Sequence, residues 1–291
     1  MASQLFEILA PTFVCAFSGW VWVRSGRSFD RKMIGDLIAL IGAPCLIFSS
    51  LVSLEASPEA MWQMARAALV AFGAFGVSGF VLLRMLKLPL HTYLAPLTFG
   101  NQGNMGVPLC LFAFGVEGQA LGLVFFAIAA SLQFSVGLFI WSGRFDLMEL
   151  VRNPIGLSAI TAALVIALEL PVPIFLMRTT ELLGAFAIPL MLLALGVAIA
   201  ELKVTDLYRS LGLSMLRLAC GLTVGFGMAD VLETTGIARG VLILQCAMPA
   251  AVFNYLLAQR YDRSPEQVAS IVVVSTLLAA VSLPLLLPFL V

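Results

Sequence analysis

Read only as apolar and polar positions, the chain is a series of long hydrophobic stretches separated by short polar connections. The stretches fall at about 4–24, 33–53, 63–86, 93–114, 119–142, 154–171, 181–200, 208–231, 237–259 and 266–290. Each is near the roughly 20 residues a helix needs to cross bilayer hydrocarbon, so the pattern predicts ten membrane-crossing helices and no soluble catalytic domain. The fourth stretch breaks the pattern. Its run FGNQGNMGVPL, residues 99–109, places three glycines, a proline, two asparagines and a glutamine where leucine and alanine would be safe. Proline removes a backbone donor and clashes with the preceding turn, and glycine is about 1 kcal/mol worse than alanine in a helix. Unwinding near the middle of this segment is expected. Freed backbone groups survive at membrane depth only when buried in protein or lining a watery cavity.

Composition agrees with this pattern: of 291 residues, 61% are hydrophobic and 11% charged, against about a quarter charged in an ordinary soluble domain. Twelve of the sixteen basic residues lie in odd-numbered connections: Arg24, Arg27, Arg31 and Lys32; Arg84 and Lys87; Arg144 and Arg152; Lys203 and Arg209; Arg260 and Arg263. The even connections lean acidic, with Glu55, Glu59, Glu117, Asp230 and Glu233. Cytoplasmic connections collect Lys and Arg, so both termini are expected on the outer, periplasmic side of a cell (inner) membrane. Trp20, Trp22 and Trp141 fall at inner helix ends, where amphipathic rings favour the headgroup level. No basic residue precedes the first apolar run, which is read as a retained helix and not a secretory signal. A net charge of zero without charge runs argues against a nucleic-acid partner. Cys15, Cys45, Cys110, Cys220 and Cys246 are scattered singly, as small buried hydrophobes.

Paired prolines suggest a duplicated chain. Pro44 and Pro189 are 145 residues apart and Pro108 and Pro249 are 141 apart, each close to half the length. Five helices per half gives two oppositely inserted repeats, 1–150 and 151–291. In such transporters, interrupted segments at matching positions point to the binding site. The ninth segment carries LQCAMPAAVFN, with Gln245 four residues before Pro249 and Asn254 five after it. Crossing two broken helices at the midplane brings two helix N-termini together, each with roughly half a positive charge, which suits an anion. Gly100, Gly103, Gly106, Pro108 and Pro249 are read as the helix-break residues, and Asn101, Gln102, Asn104, Gln245 and Asn254 as the amides that meet a solute. Gln133, Ser49 and Ser50 either face the same cavity or make helix-to-helix hydrogen bonds. Arg217, deep in the eighth segment, is either a counter-charge for an anion or snorkels to the cytoplasmic face. Pro44 and Pro189 are read as simple kinks, and His91 as a surface residue.

No Asp or Glu lies in the core of the fourth, fifth, ninth or tenth segment, which disfavours an antiporter built on an acidic pair. No Walker-type GxxxxGK[ST] sequence, metal cluster or cofactor motif is present. An intramembrane protease needs a Ser-His or paired-Asp constellation at membrane depth; the single histidine is interfacial and the acids are peripheral. An enzyme is not expected. A sensor that binds without transporting is an alternative that flux assays separate.

The run NQGNMGVPL resembles the Asn-x-x-x-Met/Leu-Gly-Ile/Val-Pro-Leu crossover of the auxin efflux carrier family, which includes plant PIN proteins and bacterial malonate-type permeases. The stretch LQCAMPAAVFNYLLAQRYDRSPEQVASIVVVSTLLAAVSLPL is similar to that family's ninth and tenth helices, and LLGAFAIPLMLLALGVAIA to its seventh. The resemblance implies ten helices as two inverted five-helix repeats with crossed, broken helices 4 and 9, a bile-acid-symporter, NhaA-like fold. It implies a scaffold of helices 1, 2, 6 and 7 and a transport domain of helices 3–5 and 8–10. It also implies a homodimer and elevator-type movement of a small organic anion, a mono- or dicarboxylate. Asn101 matches the crossover asparagine, Pro108 and Pro249 the crossover prolines, and Gln245 the ninth-helix glutamine. Asn104 and Asn254 stand where plant members carry apolar residues or proline. The third helix lacks an acidic residue and the plant exporters' long cytoplasmic loop is absent; both count against auxin as substrate. A sodium-coupled symporter of bile-acid type is the neighbouring alternative.

Overall fold

The computed structural model describes residues 2–53, 58–143 and 153–291, and every regular element among them is a helix. Glu55, Arg144 and Arg152, and the 150/151 division between halves, lie outside the described residues. In chain order the α-helices are α1 (Ala2–Arg24), α2 (Arg31–Leu37), α3 (Ala43–Val52), α4 (Pro58–Met85), α5 (Leu90–Thr98), α6 (Val107–Leu132), α7 (Leu138–Ser142), α8 (Pro154–Ala167), α9 (Ile174–Ala185), α10 (Ala187–Glu201), α11 (Leu207–Val231), α12 (Gly236–Cys246), α13 (Val252–Arg260) and α14 (Pro265–Leu286). Among the described residues seven continuous helical stretches are long and apolar enough to cross a membrane, and Pro154–Ala167 and Gly236–Cys246 are shorter apolar helices. The chain is a polytopic membrane protein. Its outer surface carries exposed Phe6, Phe17, Leu182, Val281 and Phe289, side chains that a lipid solvent covers.

One stretch, Gln102–Ser142, is 41 residues long, about twice a bilayer crossing. It turns back at Gly115 (φ 68, ψ −160), a conformation that needs glycine. A Cβ on Gly122 would lie 3.0 Å from Cys110 Cβ, so the arms before and after Gly115 pack on one another.

Two of the prolines follow a widened turn. A proline has no N–H for the carbonyl one turn back and its ring crowds that carbonyl, which a wider turn relieves. Ile38–Gly42 before Pro44 and Gln102–Gly106 before Pro108 are π-helical turns, with Ala43 N–H bonding Ile38 O and Val107 N–H bonding Gln102 O. Pro189 sits in the first turn of α10, which restarts after Phe186. The interruption of the fourth segment therefore lies at Phe99–Asn101, upstream of Pro108, which occupies the first turn of α6.

Glycines set the closest helix contacts. α1 and α10 touch backbone to backbone: a Cβ on Gly196 would collide with Ala16 O, and one on Gly19 with Leu193 O. Gly184 of α9 meets the backbone of Leu46 in α3 at 2.8 Å from its would-be Cβ. On α11, Gly221 and Gly225 lie one turn apart against Cys246 and Ile243 of α12. Small residues at this spacing let membrane helices approach closely. Trp141 differs from expectation: it is 1% exposed inside the bundle and not at a headgroup surface. Trp22 is exposed, with Arg27 over its ring at 4.9 Å.

Candidate functional site

Two chain breaks meet inside the bundle. One, Phe99–Asn101, separates α5 from the π turn that leads into α6; the other, 247–251, separates α12 from α13. They run antiparallel through a single bridge between Gly100 and Ala250. Asn101 N–H donates to Pro249 O at 2.7 Å, and Ala251 N–H to Phe99 O at 3.2 Å. Ala250 N–H donates to Ser275 Oγ of α14 at 3.1 Å. Each break thus satisfies the other's backbone, which lets an unwound segment persist away from water. On either side of the bridge a helix ends (Thr98, Cys246) and another begins (Gln102, Val252), so the partial charges of four helix ends converge there.

The amides divide into tied and untied groups. Asn254 Nδ2 donates to Phe99 O at 3.0 Å, and its Oδ1 accepts from Gln133 Nε2 at 3.3 Å. These two side chains fasten α13 and the π turn after α6 to the break. Gln245, fully buried, donates from Nε2 to Gly122 O at 3.1 Å. It lies beside Gly106, whose Cβ would sit 2.9 Å from Gln245 Cδ, so it wedges between the π turn and the returning arm of α6. By contrast Asn101 Nδ2 and Gln102 Nε2 are buried without an acceptor. Asn104 is half-buried on the π turn. Gly103 packs on Phe126, 2.6 Å from ring to would-be Cβ. Ser49 returns its hydroxyl to Cys45 O of its own helix at 2.9 Å, and Ser50 is half-buried.

Arg217 does not snorkel. It is 1% exposed, and Nε, Nη1 and Nη2 all lack a hydrogen-bond partner. α11 carries it on the face it shares with Gly221 and Gly225, the face packed on α12, and this delivers the guanidinium to the crossing. Phe75 of α4 underlies it, with Cζ 4.6 Å from the ring centroid, a favourable cation–π arrangement. A Cβ on Gly100 would collide with Arg217 Nη2 and stand 2.8 Å from Gln102 Nε2 and 3.0 Å from Met248 O. No positive φ is required of Gly100, so glycine serves there by its missing side chain. A void of about 10 Å³ adjoins the guanidinium, lined among others by Ser214, Met248, Pro249 and Ser275. That is space for about one water.

Unpartnered donors therefore outnumber unpartnered acceptors around the crossing: Arg217, Asn101 Nδ2 and Gln102 Nε2 against Gln245 Oε1. Arg217 Nη2 and Gln102 Nε2 come together beside Gly100, Asn101 Nδ2 of the same break is buried without a partner, and among the described residues no ion pair involves Arg217. What fits there chemically is an anionic oxygen, for which an arginine fork is well suited. Sequence reasoning missed Phe75, Ser275 and the carbonyl of Phe99. Among the described residues no cluster of His, Cys, Asp or Glu could hold a metal ion, and all five cysteines are free thiols.

The chain matches the family model described as "Membrane transport protein" over residues 4–148 and 139–287. It is 21% identical over 264 residues to an uncharacterized transporter of Methanocaldococcus jannaschii, covering 84% of this chain and 85% of that one. It is 29% identical over 195 residues to an uncharacterized transporter of Methanothermobacter thermautotrophicus, covering 64% and 63%. Apolar helices throughout, two unwound segments joined at membrane depth and a match along nearly the whole sequence agree: this chain belongs to the membrane transport protein family, the auxin efflux carrier-like transporters.

Proposed function

We propose that the protein is a secondary carrier that moves a small organic anion, a mono- or dicarboxylate of malonate-like size, by elevator-type alternating access. The observation that carries this reading is the crossing itself, where buried Arg217, Asn101 Nδ2 and Gln102 Nε2 face no acceptor. Buried polar groups are normally satisfied, and a carboxylate supplies the missing acceptors. Asn104, half-buried on the same π turn as Gln102, is a further candidate contact. Asn254, Gln133 and Gln245 hold the broken helices in register, so their contribution to binding is through position. Ser49 is the most peripheral of the candidates.

In this reading the chain crosses the cell membrane ten times as two inverted repeats, with both termini periplasmic. Helices 1, 2, 6 and 7 form the scaffold, in keeping with the backbone contacts of α1 with α10 and of α3 with α9. The remaining helices carry the crossing as a mobile body, and two copies assemble through the scaffold. No cofactor takes part.

The test is a thermal-shift screen of the purified protein with acetate, malonate and succinate, with and without sodium. Asn101→Ala should fold and lose the carboxylate-induced stabilisation. Unchanged stabilisation in that variant removes the site from the crossing. A shift that requires sodium favours the sodium-coupled symporter.

A further inference from the structure

We infer that Arg217 makes the protein an obligatory exchanger of anions, a deeper reading that rests on the carrier function proposed above. The guanidinium is sealed in the bundle with three nitrogens unpartnered. The four ion pairs among the described residues occupy Arg31, Arg66, Arg209 and Arg239, and Arg217 has no carboxylate. The Phe75 ring offsets part of the charge, yet the three guanidinium nitrogens have no hydrogen-bond acceptor. The adjoining void of about 10 Å³ has room for about one water.

Alternating access closes the site from both sides twice per cycle, once on the outward and once on the return stroke. With an anionic oxygen on Arg217 and Gln102, the closed site is neutralised and its donors are satisfied. Without one, an unpaired cation is closed off from water at membrane depth, which is strongly unfavourable. The return stroke therefore goes with a second anion aboard, and net movement of the unloaded carrier is the slow branch.

The experiment uses the full chain in proteoliposomes, sodium-free, with valinomycin and equal potassium on both sides so that charge movement does not limit flux. Uptake of radiolabelled acetate, malonate and succinate is measured with and without the same unlabelled anion inside. The wild type should take up label at least about tenfold faster with internal anion, the factor given by one unsatisfied charged donor. Arg217→Gln should keep its fold, melt at or above the wild type without carboxylate, and bring that ratio toward one. Should it fail to fold, Arg217→Met, which also removes the charge while keeping much of the side-chain length, carries the same test. Equal uptake into loaded and unloaded liposomes by the wild type overturns exchange and leaves the carrier reading intact. A ratio unchanged in either variant overturns the role of Arg217. No flux of any probe in either condition overturns the carrier reading, and exchange falls with it.

Discussion

Gly100→Ala probes the crossing with a single methyl group and without replacing any polar residue. Its φ tolerates alanine, so the perturbation is steric. The new Cβ meets three neighbours: Arg217 Nη2 in collision, Gln102 Nε2 at 2.8 Å and Met248 O at 3.0 Å. The first two are ends of flexible side chains and swing away; the third is backbone and yields by a few tenths of an ångström. Overpacking of this kind costs about 1–3 kcal/mol, and the low end applies because only one neighbour is rigid. At about 2–4 °C per kcal/mol for chains of 150–250 residues, the melting temperature should fall by only about 2 °C. Binding should suffer far more. The displaced guanidinium turns from the crossing, and its charged hydrogen bonds to a carboxylate are lost. Such bonds contribute about 1.5–3 kcal/mol, which is about ten- to hundredfold in affinity. The assay is a titration of acetate, malonate and succinate by thermal shift or calorimetry, with Gly73→Ala as control, since a Cβ at Gly73 meets nothing within 4 Å. Wild-type affinity in Gly100→Ala, beside an intact fold, refutes the convergence of anion and Arg217 at this place.

Other substitutions separate the fold from the site. Gly196→Ala drives a methyl into Ala16 O, a backbone atom that moves only if α1 and α10 separate; a loss of about 3 kcal/mol or more, read as a lower melting temperature, is expected, and an unaltered melting curve contradicts the contact. Gln245→Leu strands Gly122 O at full burial, so a destabilisation of about 1–3 kcal/mol should appear in detergent melts. Pro108→Ala restores the N–H whose absence widens the turn at Gln102–Gly106; the π turn should tighten, and liposome flux should fall more than expression yield does. Normal flux from purified Pro108→Ala means that the widened turn is not needed for transport.

Much of this architecture was legible because membrane helices announce themselves by length and because prolines and glycines mark their interruptions. The run from Phe99 to Leu109 pointed to the unwound segment, and Pro249 to its counterpart. The position of the first break was not legible in detail: Pro108 suggested a break at itself, whereas its missing N–H is tolerated in the first turn of a helix, and the strain appears upstream as a π turn. Nor could the sequence sort one amide from another. Asn101, Gln102, Gln245 and Asn254 look equivalent in a hydropathy pattern, and only the fold decides that Asn254 and Gln245 are spent on Phe99 O and Gly122 O while the NH2 groups of the other two remain free. Such pairings link positions 123 and 155 residues apart, beyond any local rule. Trp141 shows the converse, since a tryptophan near a helix end suits a headgroup surface until neighbouring helices enclose it.

Arg217 is the case where the signal was present and was not used. A snorkelling arginine needs a side of its helix that faces lipid or water up to the interface. Arg217, Gly221 and Gly225 recur every four residues along α11, and residues four apart share a helix face. Glycines on that face say that another backbone lies against it, as α12 does, with Gly221 facing Cys246 and Gly225 facing Ile243. An arginine at the head of such a stripe points between helices, where it has no route to the surface and must find its partner within the bundle. Among the described residues no carboxylate pairs with it, and the acids of the eighth to tenth segments and their connections, among them Asp230, Glu233 and Glu266, sit at helix ends or in connections. In the carrier function proposed above, a buried cation beside two unwound segments takes an anion from outside as its counter-charge, and on that reading α11 contributes to the site as much as the broken helices do.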